Sequence, residues 1–367
     1  MRILHFLWSG GIGGAERAVH RLATWQLAAG DDVAVVFGSG RGPYVERFRA
    51  LGCRVVDARL SGGGDVRALP RLVAAVRPYD VHHFHSVEPL MLVASALSGR
   101  AARVFTERGG THATPSWRKR LRFAIARPLM RRLVHGHSGN TAHAARTLAQ
   151  RYGLPLDRVA VTPNGIDFAA LEPRRSRDDV RAELGLARDA VVVGTSAHLK
   201  PWKRVHLVLD AAAAVPAAAA VVVGDGPQRA ALERHAAARG VVDRCRFVGM
   251  TQRAEDYVAA MDVFVLPSTA LESFGNAAVE AMALGIPTVV MADSPGLCEH
   301  IRHGETGFVA RDPRDLSDVV ARLAADAQLR AAVGAAGATF VRGAYPPERM
   351  GAAYRALYAD ARARLSR

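Results

Sequence analysis

The sequence predicts an α/β protein of two domains, each built on a parallel sheet with helices packed against it. Three observations lead there. The chain has 367 residues, more than one hydrophobic core ordinarily serves, so two domains are expected. Half of its residues are hydrophobic, enough for large cores and too many for a disordered chain. Short apolar runs of strand length alternate with helix-length stretches along the chain, the pattern of parallel strands joined by crossover helices.

The alternation is clearest between 264 and 291. Val263–Leu266 is a short apolar run stopped by Pro267, as a buried parallel strand should be. A polar turn follows and holds Glu272. Asn276 is a suitable N-cap, and 277–284 is helix-forming and ends at Gly285. Thr288–Met291 is the next buried strand. Glu272 therefore lies in the loop before the helix. Glu280 lies about one turn inside it, and helical side chains lean toward the N-terminus. Both carboxylates face the space that also receives the free N–H groups of the first turn, a ready site for phosphate. Carboxylate oxygens accept from sugar hydroxyls. Phosphate together with polyol describes a nucleotide sugar.

The elements before this stretch follow the same plan. Residues 3–8 read as a first strand and 18–29 as a helix, with Ser9-Gly-Gly-Ile-Gly-Gly-Ala-Glu-Arg between them. Such a glycine-rich turn lets a ligand approach the backbone; taken alone it is equally a tight turn. Residues 32–37 and 54–57 continue the alternation. Asp80-Val-His-His-Phe-His-Ser ends another strand and sets His83 and His85 on one face. No third metal ligand is evident beside them, so a metal site is the lesser reading. Val104-Phe-Thr-Glu-Arg-Gly-Gly ends a further strand and carries Arg108. A basic stretch follows with Arg118, Lys119, Arg120, Arg122, Arg127, Arg131 and Arg132. Trp117, Leu121, Ile125, Leu129 and Leu133 recur along it as a drifting helical stripe, and Pro128 predicts a kink or break.

Val-Ala-Val-Thr-Pro-Asn-Gly-Ile-Asp, 159–167, is a strand ending in a turn signal. The polar run 172–179 reads as a linker. A second domain opens with a strand at 190–196 and the segment His198-Leu-Lys-Pro-Trp-Lys-Arg. Lys119, Lys200 and Lys203 are the only lysines. Two of them lie in this segment, as if the position needs a compact ammonium rather than a planar fork. Residues 220–223 form a strand, and Gly224-Asp-Gly-Pro opens a helix.

Composition limits the partners. The formal net charge is +15, which calls for phosphate ligands, anionic lipid or nucleic acid; the alternative is a compositional bias, since almost every basic residue is arginine. A nucleic-acid binder needs aromatic platforms among its arginines, and aromatics are 6% of the chain, so nucleic acid is not expected. Cys53, Cys245 and Cys298 fit neither a metal spacing nor a disulfide framework, which suits a reducing cytoplasm. The N-terminus is too short for a signal sequence, and the apolar run 211–223 is too short for a membrane span.

Glu272 and Glu280, within Glu-Ser-Phe-Gly-Asn and Glu-Ala-Met-Ala-Leu-Gly-Ile-Pro, closely resemble the motif of the retaining glycosyltransferases of family 4. The turn Pro163-Asn-Gly-Ile-Asp and the loop Gly13-Gly14-Ala15-Glu16 resemble that family as well. The resemblance implies a GT-B fold, two Rossmann-like domains facing a cleft: residues 1–172 for the acceptor, 173–345 for the nucleotide sugar, and a last helix, about 346–367, packed back on the first. It implies transfer from a UDP- or GDP-sugar to a hydroxyl of a lipid-linked, polysaccharide or small-molecule acceptor.

Residue by residue, the resemblance implies that Glu272 holds donor-sugar hydroxyls, Glu280 the ribose and Lys203 the diphosphate. Gly14, Gly226, Ser273, Phe274, Gly275 and Asn276 line the donor, and Gly13, His83 and His85 the acceptor side. His198 stands where the family usually has arginine, and Arg108 where many relatives have histidine against the donor sugar. Arg108 is then available to an acidic group on donor or acceptor. No Asp-X-Asp pair occurs, so no metal or other cofactor is expected, and protein groups should stabilise the leaving diphosphate. The basic segment from Arg118 to Arg132 suggests peripheral contact with the inner membrane face. The rivals are another GT-B activity, such as an epimerase or an inverting transferase, and a degenerate, non-catalytic homologue.

Overall fold

The computed structural model describes residues 1–60, 65–86, 88–109, 117–216 and 218–366, without the side chains of 117–122. The chain divides into two compact units, Met1–Ile166 with Tyr345–Arg367, and Asp167–Ala344.

The first unit is built on seven strands, β1 (Arg2–Leu7), β2 (Asp32–Phe37), β3 (Arg54–Asp57), β4 (Val81–Phe84), β5 (Ala102–Glu107), β6 (Gly136–Gly139) and β7 (Val159–Val161). All pairs are parallel, in the order β3-β2-β1-β4-β5-β6-β7. The order reverses at β1, which pairs with β2 on one side and β4 on the other, so the loops after β1 and β4 leave the sheet in opposite directions. Ligands bind at such a point in open α/β sheets. The last helix, Pro347–Leu365, begins with proline at its first position, where the missing N–H costs nothing. Its Tyr354, Tyr358 and Ala361 are fully buried against Ile3, Val81, Ala102 and Val104. Gly136 lets the helix approach closely, since a Cβ there would press on Ala361 and Leu357.

The second unit has six parallel strands, β8 (Val191–Ser196), β9 (Ala218–Val223), β10 (Cys245–Gly249), β11 (Val263–Leu266), β12 (Thr288–Met291) and β13 (Phe308–Ala310). Their order is β10-β9-β8-β11-β12-β13, reversing between β8 and β11. β9, β11 and β12 are buried throughout, which is why they read as unbroken apolar runs.

Three expectations change. The linker expected over 172–179 is held on the second unit, and the division falls after Ile166. Arg174 N–H donates to Asp256 (2.8 Å), Arg253 donates to the Glu172 carbonyl (2.7 Å), and Ser176 caps the helix Arg177–Glu183. The helix after Glu272 begins at Asn276, with Gly275 as its cap in the left-handed region (φ 64°); Asn276 is its first residue. The basic helix Trp117–Leu133 runs through Pro128. Ala124, whose carbonyl the proline leaves without its usual donor, is exposed. The buried positions of the helix include Ala126 and Met130, while Ile125 is 51% exposed. The side chains of Trp117, Arg118, Lys119, Arg120, Leu121 and Arg122 lie outside the described residues. Among the described residues no helix is long and apolar enough to cross a membrane.

Histidines are unusually deep in this fold. His5, His82 and His83 are fully buried, His300 is almost so, and His137 is buried beneath the Met130 carbonyl. Burial, which disfavours the imidazolium, lowers His5, His82, His137 and His300 to about 4. An unfolded histidine takes a proton near 6.5. Between about 4 and 6.5 the unfolded chain therefore binds protons that the native chain refuses, and native stability falls as pH drops through that window. Each such histidine contributes a loss of about 1.4 kcal/mol per pH unit. The urea midpoint is expected to be clearly lower at pH 5 than at pH 7; equal midpoints would show that these histidines are not held neutral.

Candidate functional site

In the second unit the two loops that meet at the sheet reversal are 197–204 and 267–275. After β8 the chain turns inward at Leu199, which is fully buried. It then makes a short 3-10 turn, Pro201–Lys203, and stops at Arg204 in the left-handed region (φ 48°). A residue with a Cβ adopts that conformation at a cost of about 1–2 kcal/mol, and four hydrogen bonds offset it. Arg204 donates to the carbonyls of Pro267 (2.6 Å) and Ser268 (3.1 Å) and to both carboxylate oxygens of Asp293 (2.8 and 2.6 Å). Thr269 N–H also donates to the Trp202 carbonyl (3.0 Å). The first loop is thereby fastened to the second, and Lys203 is brought to Glu272.

Lys203 and Glu272 form a salt bridge, with side chains 13% and 14% exposed. The ammonium also lies 4.5 Å from the centre of the Trp202 ring, and the same carboxylate accepts from Ser268 Oγ (3.3 Å). The backbone after Glu272 is tightly set. Ser273 and Phe274 are buried, His300 Nε2 donates to the Phe274 carbonyl (2.8 Å), and a Cβ on Gly275 would collide with Leu297. The helix Asn276–Ala283 starts there, and Glu280 is half-buried on it. On the other side of the first loop, exposed His198 donates from Nδ1 to the Asp225 carbonyl (2.7 Å). Gly226 (φ 157°) approaches the Leu199 backbone so closely that a side chain would clash. Lys203, Glu272, His198, Gly226 and the residues 273–276 are thus gathered at the carboxyl ends of β8, β9 and β11.

In the first unit the loop after β1 leads to Gly13, the cap of the helix Gly14–Ala28. A Cβ at Gly10 would strike Val45, backbone included, and one at Gly42, in the loop after β2, would strike the Gly10 backbone, so the two loops pack closely through these glycines. His83 is fully enclosed. Its Nδ1 bonds Tyr358 Oη (2.8 Å) and its Nε2 bonds Thr106 Oγ1 (2.7 Å). It is interior, and the expectation that it lines an acceptor surface fails because the last helix covers it. His85 is almost as deeply buried and meets Arg108, whose Nε donates to His85 Nδ1 (3.0 Å). Arg108 also donates to Asn164 Oδ1 (2.6 Å) and Tyr354 Oη (2.9 Å).

The third imidazole that the sequence did not reveal beside His83 and His85 is His5. It is brought in by the β1–β4 register, in which His5 stands opposite His83. The ligand atoms of His5, His83 and His85 lie within 4.8 Å of one another. Every one of their six ring nitrogens is already hydrogen-bonded: His5 to His85 (3.0 Å) and Gln26 (2.8 Å), and the others as above. A cation there would also sit beside the Arg108 guanidinium, so the donor set fits a polar network better than a metal. Arg204, His5, Tyr354 and Tyr358 escaped the sequence reading because each acts through partners distant in the chain.

The family model described as Glycosyltransferase Family 4 matches residues 12–170, and that described as Glycosyl transferases group 1 matches 176–340. D-inositol 3-phosphate glycosyltransferase of Streptomyces scabiei is 35% identical over 217 residues, 54% of this chain and 48% of its own length. The chain thus spans about half the length of that relative. A GDP-mannose-dependent alpha-(1-6)-phosphatidylinositol monomannoside mannosyltransferase of Mycobacterium tuberculosis is 29% identical over 82% of each chain. Anabaena HepE, solved with UDP, superimposes with a TM-score of 0.86 over 97% of this chain and 99% of its own, at 23% identity. With the two family models running between them from residue 12 to residue 340 and the architecture matched along almost its whole length, the chain belongs to glycosyltransferase family 4 and has the GT-B fold.

Proposed function

We propose that this chain moves a sugar, with retention, from a UDP- or GDP-sugar to a hydroxyl of its acceptor, without a metal ion. The observation that carries the reading is the Lys203–Glu272 pair at the sheet reversal of the second unit, next to the helix beginning at Asn276. In the free protein each charge satisfies the other. An arriving diphosphate supplies a better partner for the ammonium, in line with the helix N–H groups. That releases the carboxylate to accept from donor-sugar hydroxyls. Glu280, one turn along the helix, takes the ribose. As the bond to the sugar breaks, negative charge grows on the diphosphate, and a fixed ammonium with oriented N–H groups stabilises it. The leaving phosphate then helps to take the acceptor proton on the same face. A relative whose name specifies GDP-mannose, and the neighbour solved with UDP, support a nucleotide sugar as donor.

Substitution separates these roles. Lys203→Ala is expected to lose on the order of 2–4 kcal/mol of transition-state stabilisation. Glu280→Gln is expected to weaken binding of the free nucleotide diphosphate. Glu272→Gln, which frees Lys203, is expected to preserve or tighten that binding while impairing transfer. Calorimetry and turnover on the three variants check this; equal loss of nucleotide affinity in both glutamate variants would mean that their roles are misassigned.

Metal independence has its own test. Activity is expected to survive EDTA, because the positive field on the diphosphate comes from the chain itself; loss on chelation and recovery with magnesium or manganese would refute it.

The acceptor-side unit also carries exposed Arg127, Arg131 and Arg132 around the exposed Ile125, a combination suited to an anionic membrane surface. Sedimentation with anionic vesicles, weakened by salt and absent with neutral ones, is the expected result. No binding to either vesicle at low salt would leave the helix as a solvated face.

A further inference from the structure

The buried polar network of the first unit has a direction, and Arg108 sets it. A guanidinium only donates, so His85 Nδ1, which receives Arg108 Nε–H (3.0 Å), carries no proton. Neutral His85 then holds its proton on Nε2 and donates to His5 Nδ1 (3.0 Å). His5 in turn donates from Nε2 to Gln26 Oε1 (2.8 Å), and Gln26 Nε2 donates to Tyr358 Oη (3.2 Å). Beyond it, Tyr358 Oη is bonded to His83 Nδ1 (2.8 Å), His83 Nε2 to Thr106 Oγ1 (2.7 Å), and Thr106 Oγ1 to Ser138 Oγ (2.8 Å). The run from Arg108 places His85 and His5 in the same neutral form, with the proton on Nε2. Burial and the neighbouring guanidinium both oppose their protonation.

Arg108 is therefore a half-buried cation anchored on three neutral acceptors, His85, Asn164 and Tyr354. Among the described residues no carboxylate pairs with it; neighbouring Glu107 is committed to Arg151 (2.7 Å). Desolvating a cation without a counter-charge is costly. A carboxylate in place of any one anchor would have quenched the charge. The anchors instead fix the guanidinium plane and leave the charge unspent. A guanidinium has five N–H groups; three are used, leaving one on each terminal nitrogen.

We propose that Arg108 is the anion-recognising group of the first unit, a rigid two-donor fork for an oxyanion, phosphate or carboxylate, carried by the substrate. The proposal rests on the glycosyl-transfer reading and narrows it, because the substrate must then carry an oxyanion for Arg108 to hold. His5, Gln26 and His85 are positioning residues, acting only through the guanidinium they aim.

The test uses the full chain and inorganic phosphate as probe, by calorimetry, with and without saturating UDP or GDP. Phosphate binding that persists with nucleotide and is at least about tenfold weaker in Arg108→Gln, as loss of charge-assisted hydrogen bonds requires, with nucleotide affinity unchanged, assigns the anion to the acceptor. Competition between phosphate and nucleotide, both weakened in Arg108→Gln, assigns it to the donor. Wild-type affinity for both in Arg108→Gln overturns the proposal. If neither nucleotide binds the wild type, the donor reading fails, while the phosphate titration without nucleotide still decides the role of Arg108. Should the variant not fold, the wild type decides. Phosphate is expected to protect Arg108 from phenylglyoxal, read by mass spectrometry of its peptide; modification at an unchanged rate overturns the proposal.

Discussion

A parallel strand buried on both faces cannot be joined to its neighbour by a tight turn; the chain must cross back over the sheet, usually as a helix. In both units this constraint sends every strand-to-helix loop to the same edge of the sheet. Where the strand order reverses, two of those loops diverge and leave room between them. The segments that carry the candidate site residues are loops of this kind: Ser9 to Gly13 in the first unit, and His198 to Lys203 with Glu272 to Gly275 in the second. Glycines serve the same constraint: Gly275 in the last of these loops and Gly226 in the loop after β9 stand where a side chain would meet neighbouring atoms head-on.

The two units handle positive charge differently. Lys203 is neutralised by the Glu272 carboxylate, so on the proposed donor reading a ligand exchanges partners with the pair as it binds. Arg108 is held by neutral acceptors and keeps its charge for an incoming partner. The difference follows the side chains. An ammonium on a flexible stem can be redirected cheaply, whereas a planar fork is useful only if its plane is fixed. The neutral histidines behind Arg108 suit the second arrangement, because an imidazolium there would repel the guanidinium it is meant to support. Arg204 shows a third use of a cation. It tolerates an unfavourable backbone conformation so that one loop is tied to the other.

Local signals in the sequence were enough for much of this. Buried parallel strands such as Val263–Leu266 and Thr288–Met291 are legible because both faces are apolar and a proline or polar turn ends them. Glu272, Glu280, Lys203 and the glycine turns are legible because each sits within a few residues of a strand end, where spacing alone sets the geometry. Local signals misled where packing chooses among helical faces. The basic helix buries Ala126 and Met130 in place of the larger Ile125, and it continues through Pro128, where Ala124, the residue left without its usual donor, is exposed.

The sequence by itself determined the strand–helix alternation, the two-domain division and the residues that the loops of the second unit deliver, since all of these depend on neighbours in the chain. Only the tertiary structure decided that His5 joins His83 and His85, that Tyr354 and Tyr358 return from the far end of the chain to close over them, that Arg108 is anchored by neutral groups, and that Lys203 meets Glu272. These contacts join residues 23 to 275 positions apart, and no periodicity or spacing encodes them; they arise when strand register and helix docking bring distant side chains into one dry interior, where each polar atom must find a partner.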